Sequence, residues 1–384
     1  MLFFGRLMIL NKFYKAVLFG NGTMGERHRV FFEKSGVCFL KIFDLSDLQD
    51  DGSLHKSLVN EFLSSEKIDF AVIASPATTH YQYAKLCLER KISVFVEKPL
   101  AVTGECAQEL VDLAIRNDVV LFVAQSECFN PVFLNFRKHF MAELQAMKAR
   151  DEFAKVAENA NVVGNVAEVM NCAAAAATEI NAPSANAVGN VANCAVKANA
   201  VGNVADAQNY TAAEFAKEVA KVPVQLEFRR EHRYSERCRD VNAALDLMVH
   251  DLSLCLSMFR YEDLKVSKFL LNKNGDRAQM QINVVKGDFV GTVLNFVVDR
   301  NSENDVRTVS VKFARTANRP AYDYSVSLAQ HDENGDVVHV PDSLENEHKF
   351  FLKLMLHACA EWGRRAAQSS ADAVKLATSS IASS

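Results

Sequence analysis

The chain contains no apolar run of membrane-spanning length, no pair of cysteines at metal-ligand spacing and no large excess of either charge. Each absence removes a class of function. A bilayer-crossing helix needs about 20 consecutive apolar residues, and none of the runs approaches that. A formal net charge of −4 provides no general attraction to nucleic acid or to an anionic membrane. The nine cysteines are odd in number and scattered. They argue against a disulfide framework and against a bound metal, and they suit a reducing, cytoplasmic compartment.

What is there is ordinary in bulk: 49% hydrophobic and 23% charged residues over 384 positions, room for about two domains. The opening stretch Met1–Leu10 is apolar enough to suggest a signal peptide, but Arg6 interrupts it and no small-residue cleavage site follows. Residues 1–14 are therefore expected to be an extension, with Met8 an alternative start.

From Lys15 to about Ser126, apolar runs alternate with helical segments. The strands expected are Ala16–Phe19, Cys38–Phe43, Phe70–Ala74, Ser93–Val96 and Val119–Ala124. The helices lie near Met24–Ser35, Leu58–Ser64, Thr79–Arg90 and Thr103–Asn117. Continuous apolar strands between helices indicate a parallel sheet covered on both faces, so residues 15–130 read as a doubly wound domain. A linking helix over 131–150 follows. Residues 151–221 are rich in Ala, Asn and Val, and Asn186–Ala192 recurs thirteen residues later as Asn199–Ala205. Copies at unequal spacing read as a low-complexity insert and not as a stacking solenoid.

Regular patterning returns over 222–384. Val224–Phe228 alternates as a half-buried strand, Val241–Phe259 is helical, and six further β-type runs extend from Val266 to Val340. Turns such as Asn274-Gly275-Asp276 and Glu333–Asp336 separate some of them. Helices near Leu344–Ala360 and Ala371–Ile381 close the chain. The expected architecture is an α/β protein, a doubly wound parallel sheet followed by an α/β domain with an open, largely antiparallel sheet.

Chemistry is concentrated in three places. The turn Gly20-Asn21-Gly22-Thr23-Met24-Gly25 follows a strand and opens a helix, the context in which a dinucleotide pyrophosphate is bound. Asp44, nineteen positions past Gly25, ends the second strand, where a carboxylate accepts the ribose hydroxyls of NAD and repels the 2′-phosphate of NADP. Ser75, Pro76 and His80 follow the third strand and border that cofactor, with His80 read as a helix-start residue and not as a catalyst. Glu97-Lys98-Pro99 ends the fourth strand, so that Lys98 stands where a nicotinamide ring is expected.

In the helix 243–259, Asp246, His250, Ser253 and Ser257 share one stripe, with Asp251 off it. Short hydroxyls, a carboxylate and an imidazole on an apolar helix suggest a site and not a solvated face. His250 is the best general base for a secondary alcohol, Lys98 a donor to the substrate oxygen and Asp246 an orienting group. A lysine of lowered pKa could instead be the base. Arg229, Arg230, Arg233, Arg237 and Arg239 crowd the approach to this helix. Guanidinium forks suit phosphate oxygens, but alternate arginines on a strand also point to solvent and pair with Glu227, Glu231 and Glu236.

The Gly20–Gly25 turn, Glu97-Lys98-Pro99 and Asp246-Leu247-Met248-Val249-His250-Asp251, in that order, resemble the Gfo/Idh/MocA oxidoreductase family. The resemblance covers Lys15–Pro131 and about Val224 to the end. It implies a Rossmann domain and an open-sheet domain that often forms the interface of a homodimer or homotetramer. It also implies catalytic roles for Lys98, Asp246 and His250, and a cis Lys98–Pro99 bond. Arg239-Asp240-Val241 and Ser126-Glu127-Cys128-Phe129-Asn130-Pro131 are similar to the branch containing UDP-N-acetylglucosamine 3-dehydrogenases, with Cys128 in place of that branch's arginine. The function expected is NAD-dependent oxidation of a ring hydroxyl of a sugar or nucleotide sugar, with Arg237, Arg239, Asp240 and Asn130 on the substrate. A free inositol or polyol as substrate, or a non-catalytic NAD-binding scaffold, are the alternatives.

Overall fold

The computed structural model describes residues 13–44, 47, 56–159, 224–234, 239–314, 321–331, 337–338, 341–357 and 360–379. Most of the extension, residues 160–221 of the expected insert, Arg237 and the turn at 333–336 lie outside the described residues.

The first sheet is built from β1 (Lys15–Phe19), β2 (Cys38–Phe43), β3 (Phe70–Ile73), β4 (Ser93–Glu97) and β5 (Leu121–Ala124). They are ordered β2-β1-β3-β4-β5, and every pair is parallel. β3 and β5 are buried along their whole length, which is why these strands read as unbroken apolar runs instead of alternating. The connecting helices are α1 (Thr23–Lys34), α2 (Lys56–Ser65), α3 (Ala77–Glu89) and α4 (Gly104–Asn117). α4 shows local control of its ends: the Thr103 side chain accepts from Cys106 N at its start, and Asp118 takes a left-handed conformation at its finish. Strand order reverses between β1 and β3, which opens a crevice at the carboxyl ends of those strands.

Both faces of this sheet are completed from the far end of the chain. α7 (Pro341–His357) packs near α1, where Phe351 meets Phe70 at 5.0 Å and Phe95 at 5.3 Å between ring centroids. α8 (Ala360–Thr378) lies along α4, so closely that a Cβ on Gly104 would sit 2.8 Å from Lys375 Cγ.

α5 (Pro131–Asn159) leads away from the first sheet and runs past the expected end at 150. The added residues 151–159 include two Ala, two Glu and one Lys, all good helix formers. The second sheet has six strands: β6 (Val224–Glu231), β7 (Leu264–Leu271), β8 (Arg277–Val284), β9 (Val293–Asp299), β10 (Val306–Phe313) and β11 (Tyr322–Ser327). Their order is β11-β10-β6-β9-β8-β7, antiparallel except for β6 with β9. A short pair, β12 (Gln330–His331) and β13 (Val337–Val338), stands apart. Leu226, Phe228, Leu294, Phe296, Val309 and Val311 form the buried inner face of the large sheet.

Three elements depart from expectation. The helix read over 241–259 opens with a π turn at Ala244–Met248 before α6 (Val249–Leu256). Its start is set by Asn242, whose side-chain oxygen accepts from Ala244 N and Leu245 N. The run Val290–Val298 begins its strand only at Val293, because Gly287 and Gly291, both at positive φ, turn the chain first. The final helix starts at Ala360, well before Ala371.

Candidate active site

A cleft of about 980 Å³ runs along the carboxyl ends of the first sheet and up to the second. Its cofactor side is lined by Gly20, Gly22, Thr23, Met24, Asp44, Ser75, Pro76, His80, Glu97 and Lys98, and its substrate side includes Asn130, Asp240, Asp246 and His250. Sequence positions more than two hundred residues apart thus face one space.

The glycine turn divides its work among its three glycines. Gly20 has φ +88°, and a Cβ there would lie 2.7 Å from the Ser75 backbone. Gly25 does not line the cleft; a Cβ there would lie 1.9 Å from the Gly20 carbonyl oxygen, so it lets α1 close on the turn. At Gly22 a Cβ would meet nothing within 4 Å, so the backbone is open to the cleft. Gly22 is also the N-cap of α1 and provides no side-chain cap, leaving the first amides of the helix available to an anion. These features fit a dinucleotide pyrophosphate.

The Lys98–Pro99 bond is cis. Three groups hold this corner, buried His80 and His28 and half-buried Glu97. His80 sits between two carbonyls, Nδ1 2.7 Å from Pro99 O and Nε2 2.8 Å from Ser75 O. Burial lowers its pKa against the pull of those carbonyls; its role is to pin the loop, as a helix-start residue. Glu97 Oε2 accepts the Lys98 backbone N–H at 3.1 Å, and Oε1 lies 2.7 Å from His28 Nε2. Burial works to raise the Glu97 pKa, but the His28 hydrogen bond and the neighbouring positive charges hold it below the usual value.

Lys98 Nζ donates to Asp246 Oδ1 and to the Asp246 carbonyl, both at 2.9 Å. Arg300 Nη1 stands 4.0 Å from the other Asp246 oxygen. The π turn brings Asp246 to this lysine and the next helical turn presents His250 to the same cleft. His250 Nδ1 is buried without a hydrogen-bond partner among the described residues. Burial first, then the charges of Lys98, Arg230 and Arg307, push its pKa well below the ordinary histidine value, so the ring is neutral at pH 7. The hydroxyls of the same stripe do not join the site: Ser253 and Ser257 donate back to carbonyls of their own helix, Val249 and Leu254.

The match to known proteins can be set beside this geometry. Residues 15–125 match the model of the oxidoreductase family with an NAD-binding Rossmann fold, Gfo/Idh/MocA. Residues 15–125 are thus similar to that family's NAD-binding domain, a match over less than a third of this chain. Inositol 2-dehydrogenase of Rubrobacter xylanophilus is 29% identical over 105 residues, which are 25% of this chain and 30% of that protein. The alignment therefore spans less than a third of that relative's length. Two solved structures are similar in fold over nearly the whole chain. UDP-N-acetylglucosamine 3-dehydrogenase GnnA from Acidithiobacillus ferrooxidans has a TM-score of 0.53 at 16% identity, covering 94% of this chain and 96% of that one. GenD2 from gentamicin A biosynthesis, in complex with NAD, has a TM-score of 0.58 at 14% identity, covering 97% and 95%.

The remaining wall of this cleft holds a charge network whose members the sequence showed only singly. Arg230 is 4% exposed. Its Nη2 donates to Asp251 Oδ1 at 2.9 Å and its Nη1 to Glu127 Oε1 at 3.0 Å, with Arg307 3.6 Å from the same Glu127 oxygen. Burial holds Asp251 above its usual range even beside Arg230, whereas Glu127, facing both arginines, is held below its own. A signal for Arg230 existed: Val224, Leu226 and Phe228 alternate inward, and Arg230 continues that series.

The other arginines answer the alternative left open by the sequence. Arg229 is exposed and pairs with Glu231, Arg233 donates to the Glu303 carbonyl, and Arg239 is exposed with its guanidinium 3.9 Å above the Tyr234 ring. Arg239 does not line the cleft. Asp240 lines it, but its carboxylate accepts from Thr78 N and Oγ1, capping α3 from across the cleft. Asn130 also lines it with its amide engaged, donating to Glu127 and the Leu328 carbonyl and accepting from Val132 N. Among the described residues, no group of three or more His, Cys, Asp or Glu could hold a metal ion, and no helix is long and apolar enough to cross a membrane.

Proposed function

We propose that this chain is an NAD-dependent dehydrogenase that oxidises a ring hydroxyl of a sugar or nucleotide sugar. The observation that carries the reading is the Lys98–Asp246 pair, 2.9 Å apart, beside His250 in the cleft that holds the glycine turn. NAD bound along the turn would accept the hydride from the carbinol carbon. His250, neutral and with Nδ1 unpartnered, takes the hydroxyl proton. Lys98 donates a hydrogen bond to the same oxygen and stabilises the developing alkoxide charge. Asp246 keeps the ammonium oriented while Arg300, 4.0 Å from its second oxygen, keeps Asp246 in place. Asp44, lining the cleft at the end of β2, favours the ribose hydroxyls of NAD over a 2′-phosphate. The expected residue boundaries, 15–130 for the cofactor domain and 222–384 for a substrate and oligomerisation domain, belong to the same proposal.

A nucleotide sugar is favoured over a free sugar by Arg307, a cation that lines the cleft and shares Glu127 with Arg230. The test is a panel of UDP-sugars, free sugars and inositols, each mixed with purified protein and NAD, followed by absorbance of the reduced nicotinamide. Turnover with a UDP-sugar is expected. Reduction with inositol or glucose alone would overturn the substrate assignment, and none with any member would favour the non-catalytic scaffold.

A further inference from the structure

α7 contributes three residues to the cleft, Ser343, Leu344 and Glu347, which share one face of that helix. Glu347 is fully buried at 0% exposure. Neither of its carboxyl oxygens meets a hydrogen-bond donor at bonding geometry among the described residues. A buried carboxyl without partners costs a folded protein free energy, so its retention at a cleft wall calls for a ligand. Burial first, then the charge of Glu97, push its pKa well above the usual carboxylate value, against the pull of the Gln125 backbone. In its acid form the group has one O–H to donate and one C=O to accept.

Its position narrows the ligand. In a doubly wound sheet the adenosine half of a dinucleotide lies over the β1 turn and the end of β2, and the nicotinamide half over the strands beyond the switch point. Glu347 lies near Glu97, the last residue of β4, and near Cys128, just past β5. Lys98, Ala124 and Ser126 line the same end of the cleft. The side-chain amide of Gln125, at the end of β5, is likewise buried with neither atom partnered.

We propose that Glu347, in its acid form, recognises the carboxamide of the nicotinamide ring, donating to the carboxamide oxygen and accepting from its NH2. An acid and a primary amide complement one another in this way with two hydrogen bonds. α7 comes from the far end of the chain, so the carboxyl-terminal segment reads the reactive end of the cofactor while the amino-terminal turn reads its phosphates. Glu347 is a binding residue here and takes no part in proton transfer.

The inference rests on the NAD-binding reading of the cleft, and binding measurements separate the two. NADH and ADP-ribose, which lacks the nicotinamide, are titrated calorimetrically against wild type, Glu347→Gln and Glu347→Leu. If wild type binds neither probe, the cofactor reading fails and this one with it. If wild type binds both, Glu347→Leu is expected to weaken NADH by about 10- to 100-fold with ADP-ribose unchanged. Glu347→Gln, which keeps a donor and an acceptor, is expected to bind NADH close to wild type. Affinities for both probes unchanged from wild type in Glu347→Leu would overturn the proposal, as would a loss shared by NADH and ADP-ribose. Glu347→Gln losing as much as Glu347→Leu would overturn it too, because a charge and not the donor–acceptor pair would then be what matters.

Discussion

The two sides of the cleft are made differently. The phosphate end is backbone: an open Gly22, a closed Gly25 and the bare amino end of α1, all within six consecutive residues. The substrate end is side chains brought from β4, the turn after β5, β6, α6 and β10, with Glu127 and Arg230 in contact across 103 positions. A backbone device depends on local conformation, so it can be recognised in a short stretch of sequence. A side-chain network depends on the folding of both sheets, and each member alone looks like a surface charge. The difference also sets what damage does: the first end fails by losing a ligand, the second by stranding charges.

Substitutions can break or sharpen this contrast. The largest effect is expected at the network. Arg230→Met leaves Asp251 buried without its counter-ion and Glu127 with Arg307 alone, and should cost about 3–5 kcal/mol in urea denaturation. Arg229→Ala, the exposed neighbour on the same strand, should change stability by no more than about 0.5 kcal/mol. Equal costs at the two positions would sink the claim that the network is built inward.

Next in size is chemistry. Lys98→Met should lower turnover by about 10²- to 10³-fold while NADH affinity stays within about twofold. A variant that lost affinity and turnover together would make Lys98 a cofactor-binding residue instead of a donor to the reacting oxygen.

At the phosphate end the effect is smaller and purely on binding. Gly25→Ala forces the Gly20 carbonyl to move and should weaken both NADH and ADP-ribose by about tenfold. Unchanged affinity would show that the close approach of α1 to the turn is not needed.

The smallest effect is on pH dependence. A base whose pKa is depressed stays deprotonated as pH falls, so the acid limb of kcat/KM should lie well below 6.5. An acid limb at or above 6.5 would return the base role to another group. The same depression affects stability. Below 6.5 the unfolded chain takes up protons that the buried His250 and His348, the latter held at about 3, do not. Their neutral burial therefore stops being neutral for stability as pH drops through 6.5, and denaturation midpoints should fall toward pH 3.

How far the sequence was legible follows the same division. The parallel sheet, the glycine turn, Asp44 and the Glu97-Lys98-Pro99 corner were all readable because each depends on neighbours within a few residues. The Asp246–His250 spacing pointed to a site, although the π turn that carries Asp246 was not foreseen. Arg230 was seen only as one of five arginines, and the inward alternation that singles it out was there to be followed. Glu347 and His348 gave no local signal. Their significance comes from α7 crossing to the first sheet, where His348 Nε2 meets His28 Nδ1 at 2.9 Å over 320 positions.

By itself, then, the sequence determined the fold class, the order of elements and the strand–turn–helix setting of the glycine turn, because periodicity, turn chemistry and helix ends are local properties. Tertiary structure alone decided which arginine is buried, that the Asp240 carboxylate caps α3, and that Glu347 of α7 lines the cleft. Burial decides whether a charged side chain is solvated, paired or neutral, and burial exists only once distant segments have packed.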